Sequence, residues 1–566
     1  MNSSKTLFRP IAIGDVEIKN RFVMLPMTTM FADNYYITDA MVDFYEQRAK
    51  GGAGLIEIGS VYVSDLFDTE PKYYTTSGAA GAWDDSFIPG WEKLADACHR
   101  HGAKVAGQLQ LCYEWRPDAS KKLKVYAPSI DVVSGPFAGM PEAEFTKEEL
   151  KILVNQYADA AKRLEKAGVD IIEIHAGIGY MVMRFLSKYS NHRDDEYGGS
   201  AENRARLLTE IIDAVHESCP GIPIIVRTSA DDFMPGGSRI EDLLEIVPIV
   251  EKHGIDAWNV QVGFHEAPKP VANFLVPEGE FIHFAKEVKE ATDLPVYPGT
   301  RITSEKMCEK VVEEGYGDLV GMARSLIADP EFVNKTEAGR TDLIRSCIVC
   351  SRCLDHSLLG KPIQCSVNAN VTNHDMGLPE NKPAQAKKHV AIVGSGPAAL
   401  EAARVLDIRG HRVTLVEKSD RIAGLLNMAQ VLNPYLEPYV AYWNALIEEH
   451  PNIDIRLNTK ATPEYLRSLN PDEVIVAPGG RIIMLDVPGV SNKNVVSSQD
   501  VKDLVSGTVP EGKGFLWWSA MQAIKTQGGT VPFMRMGLKM HTLIGKRLVI
   551  VGGGFAGLEC ASSMAE

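Results

Sequence analysis

Eight short apolar runs rich in β-branched residues, each followed by a helical pattern, fill the first 340 residues of the chain. Continuous apolar runs of this kind are typical of parallel strands that are buried on both faces. Eight successive strand–helix units favour a (β/α)8 TIM barrel over an open doubly wound sheet, the alternative α/β arrangement. The predicted strands are Phe22–Met27, Gly54–Val63, Lys104–Leu109, Ile171–Ala176, Ile222–Ala230, Asp256–Gly263, Leu294–Thr300 and Asp318–Arg324.

A chain of 566 residues is too long for one hydrophobic core, so further domains must follow the barrel. Its formal net charge of −15 has the wrong sign for a general nucleic-acid binder. The first residues, MNSSKTLFRP, lack the apolar stretch of a signal peptide, and no apolar run approaches a membrane span. We therefore expect a cytoplasmic protein that acts on a small molecule, with no nucleic-acid or membrane partner. A homo-oligomer is left open.

In a TIM barrel the chemistry lies at the carboxyl ends of the strands, and polar side chains stand at these ends here. A single Gln or His at such a position is usually a structural polar group, but a set at the ends of successive strands indicates a binding site. The set is rich in donors and arginines, as a phosphate-bearing, electron-rich ring would require. Its members are Pro26, Met27, Thr28, Gln108, His175, Tyr180, Arg227, His265, Arg301 and Arg324.

Six segments of the predicted barrel form a specific combination: KNRFVMLPMT (19–28), GQL (107–109), EIHAGIGY (173–180), FLSKYSNHRDDEYGGSAENR (185–204), VR (226–227) and GMARSLIADP (321–330). With these segments the barrel resembles, end to end, the old yellow enzyme family of FMN-dependent oxidoreductases. The resemblance implies that Gln108 and Arg227 bond the pyrimidine edge of the flavin. The other implied FMN contacts are Pro26, Met27, Thr28, Gly59 and His175 along the ring and Arg301, Ala323 and Arg324 at the phosphate.

One departure from the family pattern refines this expectation. Many members carry H-x-x-H-x-Y, with two histidines that hold a substrate carbonyl oxygen, but here Ile178 replaces the second histidine. The end of strand six reads GFHEA (263–267), which resembles the 2,4-dienoyl-CoA reductase and 2-enoate reductase branch. That resemblance implies that Tyr180 donates a proton and His265 assists, and we expect a protonated His265 to stabilise the phenolate. The structural alternative is a buried Tyr180 bonded to backbone and a His265 that holds a loop.

Four of the nine cysteines fall within one short stretch, Cys347-x2-Cys350-x2-Cys353-x11-Cys365. This spacing can close a tetrahedral S4 site, and from spacing alone zinc and an iron–sulfur centre both remain open. Resemblance to multidomain flavoproteins, in which such a stretch follows the barrel, implies a 4Fe-4S cluster. Two residues between the second and third cysteines are typical of trimethylamine dehydrogenase-like members, whereas dienoyl-CoA reductases commonly have three.

A nucleotide-binding pattern begins after a polar linker. The strand HVAIV runs into Gly394-Ser395-Gly396-Pro397-Ala398-Ala399, opens a helix, and reaches a second strand ending at Glu417. Small residues let backbone N–H groups approach a pyrophosphate, and Glu417 suits ribose hydroxyls. The implied contacts are Gly394, Gly396, Ala398 and Glu417. By resemblance this is the FAD site of a Rossmann-like glutathione reductase-type module, although Ala423 replaces a glycine and Leu425 a flavin-contacting glutamine of that module.

The last part of the chain contains two further features. The stretch 514–543 holds Trp517, Trp518 and several methionines, and we interpret it as packing or a subunit contact rather than a membrane-surface helix. KRLVIVGGGFAGLECASSMAE (546–566) predicts a strand, a glycine-rich turn and a helix, which resembles the start of an NAD(P)H domain. It is too short to form a core, so we expect a fragment of a longer product; a second polypeptide or a natural truncation are the alternatives.

The predicted organisation is an FMN-binding TIM barrel (1–340), a 4Fe-4S loop (341–370), a linker (371–388), an FAD domain (389–545) and the start of an NAD(P)H domain (546–566). The predicted activity is an ene-reductase that passes electrons from NAD(P)H through FAD and the cluster to FMN and reduces an activated C=C bond. Amine oxidation of the trimethylamine dehydrogenase type is the alternative, with Tyr113 and Trp115 as candidates for a cation cage. A catalytically idle binding or electron-carrier protein is the third hypothesis.

Overall fold

The computed structural model describes most of the chain in two compact units, one within Met1–Gly377 and the other within Leu378–Glu566. The described ranges are 4–65, 78–111, 114–118, 120–130, 142–268, 276–372, 382–480, 482–483, 486–492, 494–526, 531–539, 547–552, 554, 557 and 560–561. Tyr113 and parts of the predicted linker and of the final glycine-rich turn lie outside these ranges.

Each of the eight predicted runs contains one parallel strand, so the predicted TIM barrel is confirmed. The strands are β1 (Phe22–Met24), β2 (Leu55–Tyr62), β3 (Lys104–Gln110), β4 (Ile171–Ala176), β5 (Ile224–Ser229), β6 (Ala257–Gln261), β7 (Val296–Pro298) and β8 (Val320–Met322). Consecutive strands from β1 to β7 pair as neighbours, and β8 returns to pair with β1. Between β7 and β8 the Asp318 N–H donates to the Val296 carbonyl at 2.6 Å, which brings the barrel close to closure.

Amphipathic helices surround the strands. They are α1 (Asp39–Lys50), α2 (Ile88–His99), α3 (Lys147–Lys166), α4 (Ala201–Ser218), α5 (Ile240–Glu251), α6 (Ile282–Glu290), α7 (Glu305–Glu313) and α8 (Phe332–Glu337). α3 begins at a capping box, in which the Thr146 hydroxyl accepts from the Glu149 N–H at 3.2 Å and the Glu149 carboxylate accepts from the Thr146 N–H at 2.9 Å. This exchange satisfies donors that the first turn leaves open.

Smaller elements complete the first unit. Three short helices span Ser4–Leu7, Met181–Leu186 and Arg324–Ala328, and 3₁₀ turns span Asp85–Phe87, Thr341–Leu343 and Ala369–Thr372. Short strands span Ile11–Ile13, Val16–Ile18, Ala80–Gly81, Glu114–Trp115, Lys124–Ala127 and Ala143–Glu144.

The interior of the barrel changes from apolar to polar along the strands. The hairpin of Ile11–Ile13 and Val16–Ile18 packs on the first strand residues, among them Leu55, Ile171 and Ala257. Two residues further along the same strands are buried Glu57, Glu173 and Asn259. Because every second strand residue points to the same side, the sequence places this polar layer between the apolar end and the mouth.

The cysteine segment packs onto the barrel within the first unit. Its helix, α9 (Arg352–Leu358), carries Ser357, whose hydroxyl donates to the Thr28 carbonyl at 2.7 Å. The Ile363 N–H donates to the Thr29 carbonyl at 3.0 Å, and the Asn368 amide donates to the Ile327 carbonyl at 2.8 Å. These bonds fix the segment beside the residues that follow β1 and β8.

The second unit contains a four-stranded parallel sheet in the order β11–β10–β9–β12. The strands are β9 (His389–Val393), β10 (Arg412–Val416), β11 (Ile453–Arg456) and β12 (Glu473–Val476). The helices are α10 (Pro397–Ile408), α11 (Leu426–Leu432), α12 (Glu437–Glu448), α13 (Pro463–Ser468), α14 (Ser498–Val505), α15 (Phe515–Thr526) and α16 (Val531–Lys539), with a 3₁₀ turn at Pro434–Leu436. Parallel β-α-β connections of this kind form the predicted Rossmann-like arrangement.

The described part of the tryptophan-containing stretch is helical. In α15, Trp517, Met521 and Ile524 are buried against Val431 and Leu504, as expected of packing residues. On its other side Phe515 is 75% exposed and stacks on Trp518. None of the helices in the described part of the chain is both long and apolar enough to cross a membrane.

The predicted strand at 546–551 is wrong for the residues that the structure describes there. Residues 547–552 have no regular secondary structure, and Val549 is 91% exposed. A parallel strand forms only beside a hydrogen-bonded partner, and no described strand pairs with this segment.

Candidate active site

The mouth of the barrel begins where β1 and β2 end. Met27 and Thr28 form isolated bridges with Gly59, and the Thr28 and Ser60 hydroxyls lie 2.8 Å apart. A Cβ atom on Gly59 would lie 2.6 Å from the Pro26 Cβ and 2.7 Å from the Gln108 Oε1. The structure therefore brings Pro26, Met27, Thr28, Gly59 and Gln108 together, with glycine at the point of closest approach.

Gln108 and Arg227 are held from beneath by other buried polar residues. The Gln108 amide nitrogen donates to Glu173 Oε1 at 2.6 Å. Arg227 Nε and Nη2 both donate to Gln261 Oε1, at 3.0 and 2.7 Å. Arg227 Nη1 and the Gln261 amide nitrogen are buried without a hydrogen-bond partner. Buried donors of this kind are expensive unless something accepts from them, so a ligand with acceptor atoms fits this place.

His175 lies beside these residues at the end of β4. Its Nδ1 is buried without a hydrogen-bond partner, and its ring centroid is 4.7 Å from that of Tyr180. Burial lowers the pKa of His175 well below its usual value, and the positive charge of Arg227 lowers it further. The imidazole is therefore neutral at physiological pH, with one nitrogen that donates and one that accepts.

Tyr180 and His265 are brought together by two loops that pair with each other. The His265 N–H donates to the Ile178 carbonyl at 3.0 Å, and the two rings meet edge to face with centroids 4.7 Å apart. Gly179 has a φ of +84°, and a Cβ atom there would lie 2.8 Å from the Phe264 ring. The glycine therefore lets the Tyr180 loop approach the strand-six loop.

The expected charge on His265 is wrong. Burial lowers the pKa of His265 to about 3, and the Arg184 guanidinium adds to this effect. The imidazole is neutral at physiological pH, so it can support Tyr180 only as a hydrogen-bonding group and not as a cation.

A buried ion pair joins the strand-six loop to the helix Met181–Leu186, and the sequence did not predict it. Arg184 Nη2 lies 2.5 Å from Glu266 Oε1, with side-chain exposures of 2% and 0%. The Arg184 guanidinium also lies over the Phe264 ring, 5.0 Å from its centroid. The only sequence signal was an arginine inside the apolar run MVMRFL and a glutamate directly after His265.

The three residues predicted to hold a phosphate follow β7 and β8. Arg301 is 3% exposed, has a φ of +60°, and donates from Nε and Nη2 to the Val276 carbonyl at 2.8 and 2.6 Å. Ala323 precedes the short helix that begins at Arg324. The positive charges of Arg301 and Arg324 both act on the Cys347 thiol, so this region borders the cysteine segment.

The four clustered cysteines are influenced by one another but do not form a closed site. Burial raises the pKa values of Cys347, Cys353 and Cys365, and neighbouring thiols of the cluster add to this effect. Val349 and Ser351, between the first three cysteines, adopt left-handed φ angles of +54° and +59°. Among the described residues, no group of three or more Cys, His, Asp or Glu side chains could hold a metal ion as placed. The donor set suits a thiolate-bound metal, which would reverse the raised pKa values.

In the second unit the glycine-rich turn lies at the start of α10. Gly394 has a φ of +101°, and a Cβ atom there would lie 2.3 Å from the Ala477 carbonyl oxygen, whereas a Cβ on Gly396 would meet open space. Glu417 accepts from the Ser395 hydroxyl at 2.7 Å and from the Ser419 N–H at 2.8 Å. Burial alone would raise the pKa of Glu417, but these bonds outweigh it and lower the pKa. Glu417 is thus held as a carboxylate beside the turn that contains Gly396 and Ala398.

Trp115, the described member of the suggested cation cage, serves as a packing residue. It is fully buried, donates from Nε1 to the Gln156 side chain at 2.7 Å, and packs against Tyr126 and Phe145. A ring enclosed in this way has no free face for a cationic ligand.

The barrel and its polar mouth define a flavin-binding oxidoreductase. The chain belongs to the NADH:flavin oxidoreductase / NADH oxidase family, whose model matches residues 6–342. Residues 388–566 match the pyridine nucleotide-disulphide oxidoreductase family. These two matches support an FMN site in the barrel and FAD or NAD(P) binding in the second unit.

Similarity to individual relatives extends over most of the chain. It is 33% identical to a metal reductase of Desulforamulus reducens over 99% of this chain and 78% of that protein. It is 32% identical to the N,N-dimethylglycine/sarcosine dehydrogenase of Chromohalobacter salexigens over 95% of this chain and 80% of that protein. A solved structure of 2-naphthoyl-CoA reductase in complex with 2-naphthoyl-CoA matches with a TM-score of 0.82 and 31% identity, over 90% of this chain and 78% of that one.

Proposed function

We propose that the protein is a flavin- and iron–sulfur-dependent ene-reductase. Electrons from NAD(P)H would pass through FAD and a 4Fe-4S cluster to FMN, and the substrate would be an activated C=C bond in an enoyl- or dienoyl-CoA, a 2-enoate or an enone. When bound, FMN supplies a hydride to the electrophilic carbon. The observation that carries the proposal is the Tyr180–His265 pair, 4.7 Å apart at the mouth of a barrel whose polar groups fit a flavin.

The role of Tyr180 is to deliver the proton that the reduced carbon skeleton requires. A phenol is protonated at neutral pH, so it is ready to donate. His265, held neutral by burial, can donate a ring N–H to the phenolate oxygen as the proton leaves. The pairing of Ile178 with His265 through a backbone hydrogen bond keeps the two rings in register.

The proposed cluster ligands are Cys347, Cys350, Cys353 and Cys365. The segment that holds them is bonded to the backbone of Thr28 and Thr29, next to the proposed flavin contacts. The Arg301 and Arg324 charges act on Cys347 and oppose, without cancelling, the rise in its pKa that burial causes. Iron binds thiolates, so a bound cluster would stabilise the deprotonated cysteines. This arrangement supports a cluster beside the FMN phosphate.

The test is oxidation of the reduced FMN in the barrel by an α,β-unsaturated substrate under anaerobic conditions. We expect Tyr180→Phe to slow this step by about 10² to 10⁴-fold, the usual contribution of a general acid. FMN content and its absorbance spectrum should remain those of the wild type, because the phenol is not a proposed flavin contact. An unchanged reoxidation rate in Tyr180→Phe would remove Tyr180 from the mechanism.

Amine oxidation is the second candidate. It is favoured by the cysteine spacing and by the similarity to a dimethylglycine/sarcosine dehydrogenase, whereas the burial of Trp115 argues against the suggested cage. Bleaching of the flavin by dimethylglycine or trimethylamine, together with no response to enones, would reverse the ranking. A colourless purified protein would instead favour a catalytically idle binding protein.

A further inference from the structure

Two glutamates are buried side by side in the polar layer of the barrel. Glu57 on β2 and Glu173 on β4 are both 0% exposed, and their carboxyl groups lie next to each other, with the Asn259 amide nitrogen 2.8 Å from Glu173 Oε2 and 3.4 Å from Glu57 Oε2. Neither is among the residues that the proposed reaction uses. An isolated buried carboxylate is costly, so each must be neutralised or compensated.

The hydrogen bonds around the pair are not symmetric. Glu173 accepts from the Gln108 amide nitrogen at 2.6 Å and from the Asn259 amide nitrogen at 2.8 Å. The Arg227 charge acts on both glutamates. Glu57 accepts from the Tyr297 hydroxyl, while its contact with the Asn259 amide is long at 3.4 Å. Glu173 therefore has the stronger set of donors.

This asymmetry places one proton in the pair. Burial and the neighbouring Glu173 charge raise the pKa of Glu57 well above its usual value. Burial also raises the pKa of Glu173, but Arg227 and the bonds from Asn259, Glu57 and Gln108 oppose the rise. Two carboxyl groups in contact cannot both ionise, so Glu57 carries the proton and Glu173 carries a charge that offsets Arg227.

The charge on Glu173 determines how Gln108 is oriented. A carboxylate only accepts, so the Gln108 side chain must turn its amide nitrogen to Glu173. This leaves the Gln108 Oε1, which would lie 2.7 Å from a Cβ atom on Gly59, as the acceptor available at the mouth. Gln108 then presents a fixed acceptor at the mouth, and Arg227 Nη1 is a buried donor without a hydrogen-bond partner.

We propose that Glu57 and Glu173, sharing one proton, form a positioning element for the pyrimidine end of the flavin. Glu173 fixes the orientation of Gln108 and balances Arg227, and Glu57 keeps Glu173 hydrogen-bonded without adding a second charge. The inference rests on the FMN site of the proposed function but not on the identity of the substrate.

Two nearly isosteric variants separate the two roles. Glu57→Gln resembles the protonated acid, since its amide nitrogen can donate to Glu173 while its oxygen accepts from Tyr297. We expect this variant to bind FMN within about twofold of the wild type. Glu173→Gln removes the charge and frees the Gln108 amide to rotate, so we expect at least about tenfold weaker FMN binding, the effect of losing a charge-assisted hydrogen bond.

The midpoint potential of bound FMN should rise in Glu173→Gln, because a negative charge near the ring is lost, and stay constant in Glu57→Gln.

The measurements are the FMN dissociation constant by fluorescence, the midpoint potential, and the infrared spectrum of the flavin-free protein. The wild type should show a protonated carboxyl band that Glu57→Gln lacks. Equal effects of the two variants on FMN binding, or an unchanged infrared band in Glu57→Gln, would overturn the proposal. If Glu173→Gln failed to fold, the infrared comparison of wild type with Glu57→Gln would still test whether Glu57 carries the shared proton, and the absence of that band from the wild type would overturn the proposal. None of these measurements depends on enone turnover, so failure of the ene-reductase assignment would be seen separately.

Discussion

At the scale of single residues, the neutral state of His265 links the active site to the stability of the fold. In an unfolded chain a histidine titrates near pH 6.5, whereas burial lowers the pKa of His265 to about 3. Between these values the unfolded chain binds more protons than the folded protein does. The free energy of unfolding contributed by this residue is therefore fully present above pH 6.5 and is lost as the pH falls toward 3.

We expect His265→Gln to make this acid dependence shallower. An amide does not titrate, so the variant should lose less stability than the wild type between neutral pH and about pH 5. Urea unfolding at several pH values measures the effect, and His283→Gln, at an exposed position, is the matched control. An identical dependence in wild type and His265→Gln would contradict a neutral buried imidazole.

Ala423 has a strained backbone conformation. It stands where the related module has a glycine, and it keeps a left-handed φ of +76° while fully buried. For a residue with a Cβ atom this conformation costs about 1–2 kcal/mol. We expect Ala423→Gly to stabilise the second unit by about 0.5–1 kcal/mol, after the entropy that glycine adds to the unfolded chain.

Thermal unfolding followed by circular dichroism tests this expectation. Ala402→Gly, inside helix α10, is the control and should destabilise by about 1 kcal/mol because glycine is a poor helix former. A lower melting temperature for Ala423→Gly would show that the methyl group contributes packing that exceeds the strain.

At the scale of elements, the strands were predictable and the contacts between polar side chains were not. A run such as LIEIGSVY reads as a buried strand because its apolar residues outnumber the single charge, and β2 forms there. The contact between Glu57 on β2 and Glu173 on β4 depends on which strands lie side by side and on their register. A linear pattern contains neither. The strand predicted at 546–551 failed for the same reason, since a strand also requires a partner.

The site residues follow the same division. The residues at the strand ends could be predicted because the TIM barrel places them at one mouth, whatever their side chains do. The charge of His265 could not be predicted, because it depends on burial and on Arg184, which reaches it from the helix Met181–Leu186. The Arg184–Glu266 pair could not be predicted either, because it depends on which segments the fold brings together.

We expect the Arg184–Glu266 pair to hold the helix Met181–Leu186, which follows Tyr180, against the loop that contains His265. Arg184→Met leaves the Glu266 carboxylate buried without its cation, which should cost about 3–5 kcal/mol of unfolding free energy. The double variant Arg184→Met/Glu266→Met removes both charges and should be less destabilised than Arg184→Met alone. Denaturant unfolding of the two single variants and the double variant measures the coupling. Additive losses would show that the two side chains do not interact.

At the scale of the whole molecule, the cysteine segment belongs with the barrel rather than with the second unit. We expect Cys353→Ser to lose most of the bound iron and sulfide and the broad visible absorbance of a cluster, since a serine hydroxyl is a poor replacement for a thiolate ligand. FMN content should stay near one per chain, because the Cys353 side chain is not a proposed flavin contact. Iron, zinc and flavin analysis of purified protein measures both outcomes. Stoichiometric zinc in the wild type, or iron retained in Cys353→Ser, would contradict the assignment.

Thr28 affects how precisely the proposed flavin site and the proposed cluster site are spaced. Its side chain bonds Ser60 at the proposed flavin bed, while its carbonyl accepts from Ser357 of the cysteine segment. One rigid residue is thus common to both places, with no flexible spacer between them. Any movement of the cysteine segment would move the proposed flavin site with it, so the distance between a bound cluster and a bound FMN would be set by covalent geometry and by the two Thr28 hydrogen bonds. Because both sites are attached to the same residue, the distance between them would stay constant.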